Sequence, residues 1–428
     1  MPDRPRWMAA EKRKRGDGGG EQMSLASHLR DGDRIFVSGS SNEPTGLLSA
    51  LKSVALPANL HFIQFPIGGF NRHDFTQWPG QAHHTTFFMT PDLRQADRSR
   101  LHFTPMQMRH VYDWLQQDVD VVLTQAAADR NGTLRFGPNV DFLQAAMQSA
   151  RVVLVEINDG LTAPAGGLTV DPDVITDSAR TNRPLYVPPV VNIDDTSRTI
   201  GTLVAGLVKD GDCLQTGIGA IPAAILSALG ERNDLGLHGG LIDDGGMALI
   251  RSGVVTGKRK AIDAGLHVTG MALGSAELHT WLADTGTVVL RGANYTHELN
   301  VIRGIDNFVS VNSAVEIDLF GQINAEYAAG RQISGTGGSI DFMRGARASK
   351  GGRSIIAMPA TARDGAVSRI VDKVELVTAA RTDVDIVVTE FGVAHLRGQS
   401  ARTRAELLIE LAAPVFRDAL REQAHAIF

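Results

Sequence analysis

Cysteine and long apolar runs are both scarce in this chain, and each scarcity removes a class of function. Cys213 is the one cysteine in 428 residues. A single thiol forms no internal disulfide and no cysteine-rich metal cluster, which fits a reducing, cytoplasmic setting. It lies in an apolar stretch with no histidine close by, so it is expected as a buried strand residue rather than a nucleophile. No apolar run approaches the ~18 residues of a membrane-spanning helix. The N-terminus lacks the charged-then-apolar pattern of a secretory signal. Lys and Arg number 42 against 47 Asp and Glu, a net charge of −5. No basic face is implied for the whole chain, which argues against a nucleic-acid partner. His83-His84 has no companion ligands at metal spacing, so no metal is expected. There is no serine-centred hydrolase motif. Gly217-Ile218-Gly219 is followed by Pro222 rather than by the third glycine of a dinucleotide fingerprint, which argues against a nicotinamide enzyme.

What the chain has in plenty is glycine: 45 residues, with only 17 prolines and no glycine repeat. This reads as many tight turns, of the kind found where a backbone wraps a ligand. Hydrophobic residues at 43% and charged residues at 21% are ordinary for a folded protein. The length suggests two domains, or at most three. Residues 1–22 are polar and carry Lys12-Arg13-Lys14-Arg15 and Gly18-Gly19-Gly20. They are expected as a disordered tail, with Met23 opening the first foldable segment.

Two stretches begin alike. Residues 32–51 start with Gly32-Asp33, pass through a short apolar strand and a small-residue loop, and reach Pro44. Residues 211–229 repeat the pattern from Gly211-Asp212 to Pro222. Proline suits a first helical turn, and apolar residues then recur at helical spacing. Strand, small-residue loop and helix N-terminus make a recurrent anion cradle. Two copies about 180 residues apart suggest duplicated α/β domains. The proline-dense stretch Arg183-Pro184-Leu185-Tyr186-Val187-Pro188-Pro189 marks the boundary. Domains are therefore expected at 23–188 and 192–428. Strands are expected at Val119–Thr124, Arg151–Glu156, Ser354–Met358 and Val384–Val388, and helices at Val140–Ala150, Gly246–Ser252 and Ala401–Ala426. The fold class is α/β, with mainly parallel sheets.

Five stretches, in order along the chain, carry a family likeness. They are Gly217-Ile218-Gly219-Ala220-Ile221-Pro222; Leu235–Gly245 around His238; Asn312–Gln322; Gly335-Thr336-Gly337-Gly338-Ser339-Ile340-Asp341-Phe342; and Val388–Gly398, which contains Glu390. Together they resemble the acetyl-CoA hydrolase/4-hydroxybutyrate CoA-transferase family. The resemblance implies two related CoA-transferase-like domains, the second carrying the CoA-binding loops. It implies coenzyme A as substrate or product, with no tightly bound cofactor and no metal. The partners it implies are an acyl-CoA, a small carboxylate and further copies of the chain, as a homodimer or higher homo-oligomer. The backbone of Gly217, Ile218, Gly219, Ala220 and Ile221, and of Gly335, Gly337 and Gly338, is the expected CoA cradle. Amide donors there can bind a pyrophosphate or an oxyanion. Asp341 is expected to cap the following element, and Glu390 to orient the last loop. Lys258-Arg259-Lys260 reads as a solvated turn, although it could also meet CoA phosphates.

One position departs from the family pattern. Where the family reads roughly L-G-I-H-T-E-M-x-x-D-G, with the glutamate as covalent nucleophile, this chain has Gly240. A double displacement through a glutamyl thioester needs that carboxylate. Three outcomes are left open. The site could hydrolyse a thioester directly, with Asp243 or His238 as base and Asp244 as a further candidate. It could transfer CoA through a displaced carboxylate such as Asp243. It could bind CoA without turnover. Asp243 and Asp244 also suit the cap of the next helix, and His238 could equally be a core residue.

Overall fold

The computed structural model describes residues 25–427. The expected tail at 1–22 lies outside them. The described residues form two compact units. One takes in the chain up to Pro188 together with Thr269–Tyr295; the other takes in Pro189–Val268 and the chain from Thr296 onward. The second half is thus not one continuous 192–428 block. Backbone hydrogen bonds tie the inserted stretch into the first unit: Val140 N–H donates to Gly270 O, Ala165 N–H to Leu282 O, and Ala293 N–H to Asp141 O.

In the first unit the strands are β1 (Arg34–Val37), β2 (His61–Gln64), β3 (His83–Thr86), β4 (Leu101–Phe103), β5 (Val121–Ala128), β6 (Leu134–Phe136), β7 (Val152–Asn158) and β8 (Asp177–Thr181). They form an eight-stranded sheet in the order β4-β3-β2-β1-β5-β7-β8, with β6 on β5. Every pairing is parallel except the antiparallel β5–β6 pair. A parallel sheet is covered on both faces, and its strands are apolar on both. Ile35, Val37, Val121, Leu123, Val152 and Leu154 pack into one core cluster. Phe36, Val122, Val153 and Val155 pack into the cluster on the opposite face. The period-two alternation of extended chain separates the two sets.

In the second unit, β9 (Cys213–Gln215), β10 (Gly236–Leu237), β11 (Phe308–Asn312), β12 (Arg353–Ala357), β13 (Ile386–Thr389) and β14 (Gly392–His395) make a six-stranded sheet. The order is β10-β9-β11-β12-β13-β14. The first five strands run parallel, and β13–β14 is an antiparallel hairpin. The carboxyl ends of five strands therefore share one edge, the place where ligands sit in open α/β sheets.

Both copies of the repeated pattern are strand–loop–helix: β1 leads to the helix Thr45–Lys52 and β9 to the helix Ala220–Ser227. Pro44 stands at the N-cap of the first, and Pro222 lies in the first turn of the second. The helix expected over 140–150 is shorter, Leu143–Ser149. Asn139 Oδ1 accepts the Asp141 N–H at 3.0 Å, and this local turn delays the helix. The expected C-terminal helix is two, Ala401–Glu410 and Pro414–Ile427. Pro414 has no N–H to continue the first helix but suits the start of the second. Cys213 is buried in β9, and burial pushes its thiol up to about 12.

Candidate active site

Three of the expected loops leave the carboxyl edge of the second sheet or converge near it. The first follows β9. Gly217 has an unexceptional φ, and a Cβ built there would meet nothing within 4 Å, so packing does not demand glycine. Gly219 differs: it is the N-cap residue at φ +120° and ψ −172°, a region open only to glycine. Its helix has no side-chain cap, so its first N–H groups depend on other acceptors. Ile218 is 56% exposed, an unusual position for a large apolar side chain. Ala220 is half-buried and opens the helix, while the Ile221 side chain packs in the core.

The second loop follows β10. His238 N–H donates to Leu214 O at 3.1 Å, and Gly239 N–H to Val268 O at 3.0 Å. A Cβ on Gly239 would lie 3.3 Å from Gln215 Cγ, so this loop runs close beside the end of β9. His238 is fully buried, edge-on to Phe308, with Nε2 3.1 Å from Thr296 O. A carbonyl oxygen only accepts, so Nε2 carries the imidazole proton. Burial first, and then the charge of Lys260, push the His238 pKa down to about 3. His238 is thus placed as a neutral core residue that holds the Thr296 carbonyl. Lys260 is not in a solvated turn. It is buried, and Nζ donates to Leu266 O at 2.9 Å and to Leu237 O at 3.4 Å, steadying the same loop.

Asp243 is the N-cap of the helix Asp244–Arg251 and accepts the Gly246 N–H at 2.9 Å. Burial raises its pKa, and the neighbouring charge of Asp244 adds to the rise. Asp244 is half-buried in the first helical turn, where the helix dipole favours a negative charge.

The third loop precedes the helix Ser339–Ala348. Gly335 is buried and Gly337 sits at φ +58°. Gly338 is the N-cap, and Asp341 lies in the first turn rather than at the cap expected for it. Elsewhere on the sheet edge, Gln215 and Asn312 exchange side-chain hydrogen bonds at 3.4 and 3.3 Å. Glu390 Oε2 accepts the Ala360 N–H at 2.8 Å, a contact that positions backbone.

What stands beside Gly240 is a histidine. His297 is 1% exposed, and its ring centroid lies 4.4 Å from that of Phe342. Its Nδ1 is 2.8 Å from Thr296 Oγ1. A Cβ on Gly240 would lie 3.2 Å from Cε1 and 3.3 Å from Nε2 of this ring. A Cβ on Gly338 would lie 2.3 Å from Nε2, closer than real atoms approach. The imidazole is wedged between two glycines that are far apart in sequence, so the second and third loops meet on it. Sequence reasoning missed His297. The stretch Thr296-His297-Glu298 has no motif, and nothing linear couples it to Gly240 and Gly338.

The first unit holds a separate electrostatic feature. A cleft lined by Phe36, Phe65, Phe142 and Met271 contains Asp141. Its Oδ1 has no hydrogen-bond partner among the described residues, and burial raises its pKa to about 8. Among the described residues no three or more His, Cys, Asp or Glu are grouped to hold a metal ion. No helix among them is long and apolar enough to cross a membrane.

The chain matches the family model of the acetyl-CoA hydrolase/transferase N-terminal domain over residues 21–171. It matches the corresponding C-terminal domain over 274–424. It is 35% identical to the 4-hydroxybutyrate coenzyme A transferase of Clostridium kluyveri over 408 residues, 93% of this chain and 95% of that one. A more distant relative, the acetyl-CoA hydrolase of Candida albicans, is 28% identical over 57% of this chain and 48% of its own. The crystal structure of RipA from Yersinia pestis superposes with a TM-score of 0.89 at 32% identity, covering 95% of this chain and 97% of that one. On these matches, and on a parallel-sheet architecture in both units, the chain belongs to the acetyl-CoA hydrolase/transferase family.

Proposed function

We propose that this protein cleaves an acyl-CoA thioester by direct hydrolysis, without a covalent enzyme intermediate. The observation that carries the reading is the chemistry around residue 240. Gly240 has no side chain, and Asp243, the carboxylate three residues on, is bound to its own helix terminus. Asp243 is committed to the helix cap and Asp244 belongs to the first helical turn, so neither stands in the place of a residue 240 side chain, whereas a water needs none there. Water oxygen adds to the thioester carbonyl carbon, the carbon–sulfur bond breaks, and the thiolate takes a proton. Coenzyme A is then a product and needs no further cofactor. The backbone amides of Gly217–Ile221 and of Gly335–Gly338 supply the donors for its phosphates or for the oxyanion. Kinship with a relative named as a hydrolase supports the reading.

The test is release of free thiol from a panel of acyl-CoAs, with and without acetate or 4-hydroxybutyrate as acceptor. Thiol release that does not require an acceptor is the expected result. CoA binding seen by calorimetry, with no thiol released from any ester, would leave a binding protein instead. A second reading, transfer through Asp243, is favoured by kinship with relatives named as CoA-transferases. It requires acyl transfer to the acceptor, and hydroxylamine or borohydride labelling of one carboxylate after acyl-CoA addition.

A further inference from the structure

We infer that His297 is the general base of this hydrolysis, its Nε2 standing against Gly240 and Gly338 to take a proton from the attacking water. The inference rests on the hydrolase reading and supplies the group that reading lacks. It starts from hydrogen bonding. Thr296 Oγ1 lies 2.8 Å from Nδ1; in the tautomer that serves as base, Nδ1–H donates to that hydroxyl and the lone pair lies on Nε2. The residue is 1% exposed, and the hydrogen bond described for its ring is the one at Nδ1.

Steric evidence points the same way. Nε2 faces the two positions where this chain has no side chain to obstruct it. Gly338 cannot gain one, since its Cβ would fall 2.3 Å from Nε2. Both glycines are only half-buried, so the nitrogen sits just beneath accessible backbone. The ring is also held from behind. His238 Nε2–H donates to Thr296 O, and the Thr296 hydroxyl holds Nδ1. A nucleophile's base, itself oriented by a third group, is the recurring logic of acyl transfer. Here the nucleophile is water, the base His297, the orienting group Thr296 and the anchor His238. Burial lowers the pKa of the ring and keeps it neutral in the free protein.

The step balances. The water proton passes to Nε2 as the water oxygen bonds to the carbonyl carbon, and the carbonyl electron pair moves onto oxygen. The tetrahedral intermediate collapses, the carbon–sulfur bond breaks, and Nε2–H returns its proton to the leaving sulfur. Acyl-CoA and water give a carboxylic acid and coenzyme A, and neutral imidazole is restored. His238, the histidine that the sequence puts forward, is in this scheme a positioning residue.

The experiment compares the native protein with H297N and H297Q, which keep a polar side chain but lose the base. Thermal unfolding confirms folding, and calorimetry gives CoA affinity. Because general base catalysis contributes roughly 10²–10⁴-fold, kcat should fall by at least about 100-fold while KM and CoA affinity change little. A normal solvent deuterium isotope effect on kcat should be seen in the native protein and shrink in any residual activity of the variants. If either folded variant keeps kcat within a few-fold, or the native enzyme shows no isotope effect, His297 is packing only and the hydrolase reading stands without it. If the native protein releases no thiol from any acyl-CoA, both ideas fall.

Discussion

Asp243 shows how one residue can satisfy two descriptions that a single substitution pulls apart. Its carboxylate accepts the Gly246 N–H and begins the helix Asp244–Arg251. Asparagine caps helices as well as aspartate, whereas alanine at an N-cap costs about 1 kcal/mol. D243N should therefore unfold at the urea concentration of the native protein and keep its thioesterase rate. D243A should lose about 1 kcal/mol of stability. If D243N folds normally but is inactive, Asp243 takes part in the chemistry, and labelling of its carboxylate by hydroxylamine or borohydride after acyl-CoA addition separates a carrier from a base. The residues nearest Gly240 were legible as candidates, but their jobs were not. His238 could be read as a base because its partner, the carbonyl of Thr296, lies 58 positions away and no periodicity reports it. His297 was invisible for the complementary reason. Its importance comes from two glycines that are adjacent in space only.

At the scale of elements the sequence was more open. A Gly-Asp turn, an apolar strand and a proline-started helix are local events, and both copies fold as strand–loop–helix. The ends were read less well. Asn139 starts a turn that postpones a helix, and Pro414 divides one that apolar spacing alone would continue. The glycine loop after β9 offers a test at this scale, since its two glycines are there for different reasons. G219A forces alanine to φ +120° and should destabilise the fold by about 1–3 kcal/mol in denaturant titration. G217A meets neither strain nor neighbour and should fold like the native chain. If the loop cradles CoA, the added methyl group stands where the ligand approaches the backbone, and G217A should weaken CoA binding in calorimetry. Unchanged affinity in folded G217A would remove this loop from the cradle.

For the molecule as a whole, the inserted stretch Thr269–Tyr295 is what a linear reading could not supply, because its partners at Val140, Asp141 and Ala165 lie more than a hundred residues earlier. Burying so many polar groups also fixes how stability responds to pH. Burial pushes His84, His238 and His297 down to about 3, and His61 and His267 to about 4. In acid the unfolded chain binds protons that these rings refuse, so stability is lost as pH falls below about 6.5. Two carboxyls act in the opposite sense. Burial raises Asp141 to about 8 and Glu43 to about 7. The folded chain holds their protons after the unfolded chain has released them, so their contribution declines as pH rises from about 4 to 8. Histidines outnumber these carboxyls on the acid side, while between pH 6.5 and 8 the two carboxyls still act. Thermal stability should therefore peak near pH 6.5 and fall toward pH 8. D141N removes the larger of the two alkaline effects at nearly constant shape. Its melting temperature relative to the native protein should be higher at pH 8 than at pH 6, whatever the substitution costs in packing. An equal difference at both pH values would mean that Asp141 ionises freely, and that the cleft of the first unit is wetter than its aromatic lining implies.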